Sequence, residues 1–251
     1  MSSSFTYPIV DANCLFGSWP RSELDASIEA VTAARAAAGI ECAVLGSLRA
    51  ATHDPTVGNA EALAACSQSA GLYAAGAVNL RRSLDPAGEV AKLRREGFAL
   101  LRVWREYEGW PLDYAPFEDV LQAAAAHALP VMVAALQLGD LTVLARLVER
   151  AGCRVIVTGV NTSHTPLVAE AVAVGRRCPH LFLETSRLEG VDTVDLMAAE
   201  LGAERLVFGT GLPFQYAASA LALVEHSSLS PRERERVLCR NVLELLGVEA
   251  G

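Results

Sequence analysis

The residues best able to do chemistry lie near the start of the chain. An apolar run leads into Asp11, and the stretch ends at the first glycine, a pattern typical of a short buried strand that breaks into a loop. Side chains alternate along a strand, so we predict Asp11, Asn13 and Leu15 on one face and Ala12 and Cys14 on the other. In a barrel, the first set would face inward at the mouth, where barrel enzymes carry their active sites.

A second group of candidates follows the fourth predicted strand. Arg102 ends this strand, and Trp104 and Arg105 continue into the loop. Guanidinium groups at a barrel mouth are suited to clamp a carboxylate or a phosphate. The alternative is that Arg102 pairs with Asp11 or Glu184 and fills the interior, because a buried charge needs a partner.

The remaining candidates follow later strands. Asp11 and Glu184 could act as an acid and a base if their pKa values differ, although structural hydrogen bonding is the alternative for Glu184. His164 lies in the loop after strand six, and imidazole titrates near neutral pH. We therefore predict as catalytic Asp11, Asn13, Arg102 and His164, and as substrate-binding Arg102, Trp104, Arg105, Asn161, Glu184 and Phe214.

Eight strand-then-helix units can be read along the chain, with no linker, repeat or low-complexity segment between them. Such alternation requires parallel strands with crossover helices, and the nearly all-apolar strands fit a sheet covered on both faces. We predict an α/β fold: one (β/α)8 barrel domain over residues 1–251, with an additional C-terminal helix near residues 231–246. A doubly wound open sheet is the alternative, but the glycine-rich phosphate loop typical of dinucleotide-binding folds is missing from the sequence.

Composition narrows the partners and the location. The formal net charge of −8 argues against nucleic acid as a general partner. No apolar run approaches the ~20 residues that span a bilayer, and the N-terminus does not resemble a signal peptide, so we expect a cytoplasmic protein without membrane contact. The six cysteines show no metal-binding spacing and are expected to be reduced.

The chain resembles the amidohydrolase superfamily, especially its decarboxylase- and lactonase-like branch, amidohydrolase family 2. The resemblance lies in the Asp-x-Asn-x-Leu-x-Gly frame of residues 11–17, in Gly-Phe-Ala-Leu-Leu-Arg at 97–102, in Phe-Gly-Thr-Gly-Leu-Pro-Phe at 208–214 and in the last helix. It implies a barrel that carries a catalytic divalent metal held by histidines and an aspartate. The positions that match those ligands are Asn13, Leu15, Ala134, Gly159 and Gly211.

These substitutions remove the donors that divalent metals prefer. We therefore predict no metal and no cofactor, and two functions stay open ahead of a third, a metal hydrolase with relocated ligands. The first is a binding or partner subunit without metal-dependent hydrolysis, in a homo-oligomer or a hetero-oligomer with an active paralogue. The second is a metal-independent hydrolase, lactonase or lyase that acts on a small carboxylated substrate at the barrel mouth.

Overall fold

The computed structural model describes residues 5–161, 165–190 and 192–248. Eight parallel strands run in the order β1 to β8, each paired with the next along the chain. The strands are β1 Val10–Phe16, β2 Cys42–Ser47, β3 Leu72–Gly76, β4 Leu100–Arg102, β5 Val131–Ala134, β6 Val155–Thr158, β7 Leu181–Glu184 and β8 Leu206–Val207.

Helices follow each strand along the chain, and three of them come after β8. They are α1 Ile28–Ala37, α2 Leu48–Thr52, α3 Pro55–Cys66, α4 Pro86–Arg95, α5 Arg105–Glu108, α6 Ala115–Ala126, α7 Asp140–Ala151, α8 Thr165–Gly175, α9 Thr193–Leu201, α10 Ala217–Glu225, α11 Pro231–Glu235 and α12 Asn241–Leu246. Short 3-10 turns cover Thr185–Arg187 and Ala203–Arg205, and a π-helical turn at Arg236–Arg240 joins α11 to α12. None of the helices within the described ranges is long and apolar enough to cross a bilayer.

The sheet curls until its two edges meet. Ala12 N donates to Phe208 O at 2.9 Å, and Leu15 N donates to Leu212 O at 2.8 Å, so the segment after β8 hydrogen-bonds to β1. These bonds satisfy backbone groups that an open edge would leave unpaired. The prediction of a (β/α)8 barrel is therefore confirmed.

The C-terminal segment covers the amino-terminal end of the barrel. Val242 and Leu246 are buried in one cluster with interior residues of the strands, among them Val10 and Ile156. Asn241 Nδ2 donates to Leu206 O at 2.7 Å, at the start of β8. This apolar plug closes one end of the barrel, so the carboxyl end of the strands is the end left for a ligand.

Strand β1 departs from regular alternation. Its register against β2 shifts between Asp11 and Cys14. Ala12 packs with interior residues, whereas Cys14 belongs to the cluster between strands and helices. Asn13 and Leu15 face the interior as predicted. The prediction that Asp11 shares their face and that Ala12 points away is wrong. An irregularity of this kind reverses the alternation of the side chains along the strand.

Candidate functional site

A cavity of about 550 Å³ opens at the carboxyl end of the barrel strands. Polar and charged side chains line its floor and aromatic rings line its wall. These residues include Asn13, Arg102, Thr158, Asn161, Ser186, Trp104, Tyr107 and Phe214. The five positions that match metal ligands in the resembled family, residues 13, 15, 134, 159 and 211, also all line this cavity. Strand ends that are distant in sequence thus converge on one site.

Arg102 is the charged centre of the cavity floor. It is buried, and its Nη1 donates to Asn13 Oδ1 at 2.5 Å and to Met132 Sδ at 3.1 Å. Its guanidinium carbon lies 4.3 Å from the ring centroid of Trp104, within the range of a cation–π contact. Among the described residues, no carboxylate oxygen lies within 4.0 Å of this guanidinium, so Arg102 forms no ion pair with them. Burial lowers the pKa of Arg102, and the charges of Glu106 and Glu184 partly oppose that shift.

Glu184 lies behind the floor and is fully buried. Its Oε2 accepts hydrogen bonds from Asn13 Nδ2 at 3.1 Å and from Ser186 Oγ at 2.8 Å, and its Oε1 accepts from Ser186 N at 2.6 Å. Burial raises the pKa of Glu184 to about 7; the nearby charge of Asp11 adds to this shift, and the hydrogen bonds from Ser186 and Asn13 oppose it. A carboxyl group in this state can exchange a proton near neutral pH.

The space that the Glu184 carboxylate occupies depends on a glycine just after the neighbouring strand β8. A Cβ at Gly209 would lie 2.2 Å from Glu184 Oε1, so only glycine leaves space for the carboxylate. The carboxylate, Asn13 and Arg102 form one connected network across β1, β4 and β7.

Asp11 has a different environment from the one predicted. It is fully buried and does not line the cavity. Its carboxylate accepts Thr210 N at 3.0 Å, Thr210 Oγ1 at 2.5 Å and Asn13 N at 2.9 Å. Burial raises the pKa of Asp11, and these hydrogen bonds oppose that rise. Asp11 therefore ties the segment after β8 to β1.

The other predicted site residues differ in whether they line the cavity. Trp104, Asn161 and Phe214 line the cavity. Arg105 does not, because its Nε donates to Ala134 O at 3.0 Å and its Nη2 pairs with Asp140. His164 lies outside the described residues.

The reading of the sequence missed several cavity-lining residues, among them Glu106, Tyr107 and Ser186. Tyr107 belongs to α5, a one-turn helix too short to give a periodic pattern. Ser186 follows Glu184 by two positions, in the 3-10 turn that the Glu184 side chain caps. A polar residue just beyond a strand that ends on a buried carboxylate is the signal that could have indicated Ser186.

Comparison with known proteins identifies the family. The family model described as Amidohydrolase matches residues 16–248. The curated protein sequences contain no significant match. Structural neighbours have low sequence identity.

Three neighbours illustrate the structural likeness. The 5-carboxyvanillate decarboxylase of Novosphingobium aromaticivorans, solved with manganese and 4-hydroxy-3-methoxy-5-nitrobenzoic acid, has a TM-score of 0.74 at 14% identity, over 97% of each chain. The 2,6-dihydroxybenzoate decarboxylase from Rhizobium has a TM-score of 0.72 at 15% identity, over 96% of this chain and 99% of that one. A putative amidohydrolase from Staphylococcus aureus reaches 0.78 at 11% identity, over 96% of this chain and all of that one (100%). The structural likeness shows the barrel fold, and the match to the family model shows the family. This chain belongs to amidohydrolase family 2.

Proposed function

We propose that this barrel binds a small carboxylated compound at its mouth, with the guanidinium of Arg102 rather than a divalent metal as the cation that receives the carboxylate. Arg102 is the observation that carries the proposal. It is 9% exposed and lines the cavity, and it has no carboxylate partner among the described residues. The carboxylates of Glu106 and Glu184 act on the charge of Arg102 without forming an ion pair with it, so a ligand carboxylate would add a direct partner in a bidentate geometry.

The cavity wall suits a planar ligand. The indole of Trp104 is buried beside Arg102, and no described residue accepts a hydrogen bond from its Nε1. Tyr107 and Phe214 add two further rings to the lining. The neighbouring decarboxylases are named for aromatic carboxylates, 5-carboxyvanillate and 2,6-dihydroxybenzoate. We extend that class to this chain and propose a benzoate-like or similar planar carboxylate.

The residues of this cavity do not fit the divalent metal that the family implies. Of the five matching positions only Asn13 carries a donor atom, and its Oδ1 already accepts Arg102 Nη1. In the part of the chain that the structure describes, no group of three or more His, Cys, Asp or Glu side chains is placed to hold a metal. A guanidinium beside the position of a cation would also repel it.

The second candidate function is a binding or partner subunit, which pairs with copies of itself or with an active paralogue. Large apolar side chains that are exposed on loops around the mouth favour it: Leu136 is 51%, Leu138 56% and Tyr216 85% exposed. Such side chains are typical of surfaces that contact another chain when they form a patch. Light scattering of the purified protein, alone and mixed with a catalytically active paralogue, should show a defined oligomer in one of the two samples under this candidate, and a monomer in both would contradict it.

Calorimetric titration tests the leading proposal. Benzoate and 4-hydroxybenzoate should bind with 1:1 stoichiometry in the presence of EDTA, and with the same affinity in a separate titration in which Mn²⁺ replaces EDTA. Benzamide, which has the same shape without the charge, should bind far more weakly. Equal affinity for benzamide, or binding that requires Mn²⁺, would contradict the proposal.

A further inference from the structure

The cavity is lined by a negative group as well as by Arg102, the side chain of Glu106. Glu106 lies on the one-turn helix α5, which follows directly after β4. Its carboxylate acts on the charge of Arg102, yet neither of its oxygens lies within 4.0 Å of that guanidinium. The cavity therefore presents one positive and one negative side chain that do not neutralise each other by direct contact.

The other arginines around Glu106 have partners of their own. Arg105 pairs with Asp140, and Arg21 lies over the ring of Tyr107, 5.3 Å from its centroid. Within the described part of the chain, Glu106 forms no ion pair, and its carboxylate accepts no hydrogen bond from another residue. The side chain is open to the cavity, and a group inside the cavity is therefore free to contact it.

The balance of charge in the cavity favours a ligand that carries both signs. Arg102 and Glu106 together contribute no net charge. A carboxylate alone on Arg102 would add a second negative charge near Glu106, and like charges repel most strongly where protein displaces water. A ligand with a carboxylate and an ammonium group would give each side chain a partner of opposite sign. The aromatic lining suits such a ligand too, because the faces of aromatic rings attract cations.

The protonation of Glu106 fits the same ligand. Desolvation raises the pKa of Glu106, and the charge of Arg102 opposes that rise. A ligand ammonium beside the carboxylate would favour its ionised form further, whereas a lone ligand carboxylate on Arg102 would favour the protonated form.

We propose that the ligand of this cavity is a zwitterion, a planar carboxylate that also carries an ammonium group, and that Arg102 receives the carboxylate and Glu106 the ammonium. This inference rests on the proposed carboxylate site and adds Glu106 as the residue that selects among carboxylates. A side chain that hydrogen-bonds a ligand group discriminates against analogues that lack the group, because it is then left without that partner.

Paired ligands test the proposal. The compounds 3-(aminomethyl)benzoate and 4-(aminomethyl)benzoate place the ammonium at two distances from the carboxylate. The matching hydroxymethyl benzoates have nearly the same shape and no positive charge. In calorimetric titrations near neutral pH and at low ionic strength, at least one aminomethyl compound should bind the wild-type protein roughly fivefold or more tightly than its hydroxymethyl partner.

Two variants assign this preference to one carboxylate. Glu106→Gln keeps the shape of the side chain and removes its charge, so the ratio of the two dissociation constants should fall to about one. Glu189→Gln is the matched control, because Glu189 does not line the cavity. Its carboxylate lies 3.5 Å from Arg187 and accepts Gln215 Nε2 at 3.1 Å, so this variant should keep the wild-type ratio. Circular dichroism checks that both variants are folded.

The results separate this inference from the carboxylate site on which it rests. If benzoate binds but neither aminomethyl compound binds more tightly than its partner, the zwitterion proposal is overturned and the carboxylate site stands. The same holds if Glu106→Gln keeps the preference. If 4-(aminomethyl)benzamide, which has the ammonium but no carboxylate, binds as tightly as the zwitterion, or if no carboxylate binds at all, both proposals are overturned.

Discussion

Replacement of Arg102 by methionine is the perturbation with the clearest expected effect on binding. Methionine has a similar length and no charge. A carboxylate that bridges the guanidinium makes two charge-assisted hydrogen bonds, each worth about 1.5–3 kcal/mol, and non-additivity brings the expected loss to about 2–4 kcal/mol. The dissociation constant for benzoate, measured by calorimetry, should therefore rise roughly 30- to 1,000-fold.

The same substitution should not destabilise the fold. Arg102 is buried without an ion pair among the described residues, so methionine removes a desolvated charge, and the hydrogen bond to Asn13 is the main loss. The free energy of unfolding in urea should stay equal or increase. Arg187→Met is the matched control: it removes a charge from the same cavity, but Arg187 is 43% exposed and lies 3.5 Å from Glu189, so benzoate affinity should change less than about threefold. Unchanged affinity in Arg102→Met, or an equal loss in Arg187→Met, would refute the reasoning.

Three further predictions concern the buried groups around the site. Gly209→Ala should lower the free energy of unfolding by about 1–3 kcal/mol or more, because the new Cβ would collide with the buried Glu184 carboxylate. Gly88→Ala should cost less, because its Cβ would meet the carboxylate of the exposed Asp85. Equal losses for the two variants in urea unfolding would contradict this. Because the pKa of Glu184 is raised to about 7, the folded state binds more protons than the unfolded state between about pH 4.5 and 7. The contribution of Glu184 to the free energy of unfolding is therefore present at low pH and declines as the pH rises, by up to about 1.4 kcal/mol per pH unit. Glu184→Gln should remove that slope, and a slope that persists would show another group to be responsible. Asp11→Ala should cost about 3 kcal/mol or more, because it leaves three buried donors without their acceptor, and a loss under 1 kcal/mol would be inconsistent with its contacts.

The barrel could be predicted because apolar strands and helices alternate eight times. Boundaries were harder where a local contact decides them. Apolar residues at helical spacing begin near Ser22 and predict a helix from that position. The helix α1 begins at Ile28 instead, because Ser27 Oγ accepts a hydrogen bond from Ala30 N at 3.2 Å and caps the helix there. The one-turn helices α2 and α5 were missed because four or five residues carry no measurable period.

The site could be predicted in part. Strand ends indicated Asn13 and Arg102 because the carboxyl ends of parallel strands converge. The position of Asp11 was wrong because a register shift in β1 leaves no mark in the apolar pattern. Arg105 lies next to the site in sequence, yet its contacts with Ala134 and Asp140 turn it away, and such a long-range partner cannot be read from spacing.

One diffraction measurement tests the central claim most directly. Crystals soaked with 4-hydroxybenzoate and Mn²⁺ should be measured at a wavelength where manganese scatters anomalously. We expect the ligand carboxylate within hydrogen-bond distance of the Arg102 guanidinium and no anomalous peak in the cavity. A manganese peak there, coordinated by cavity side chains or by the ligand, would contradict the claim that a guanidinium has taken the place of the metal.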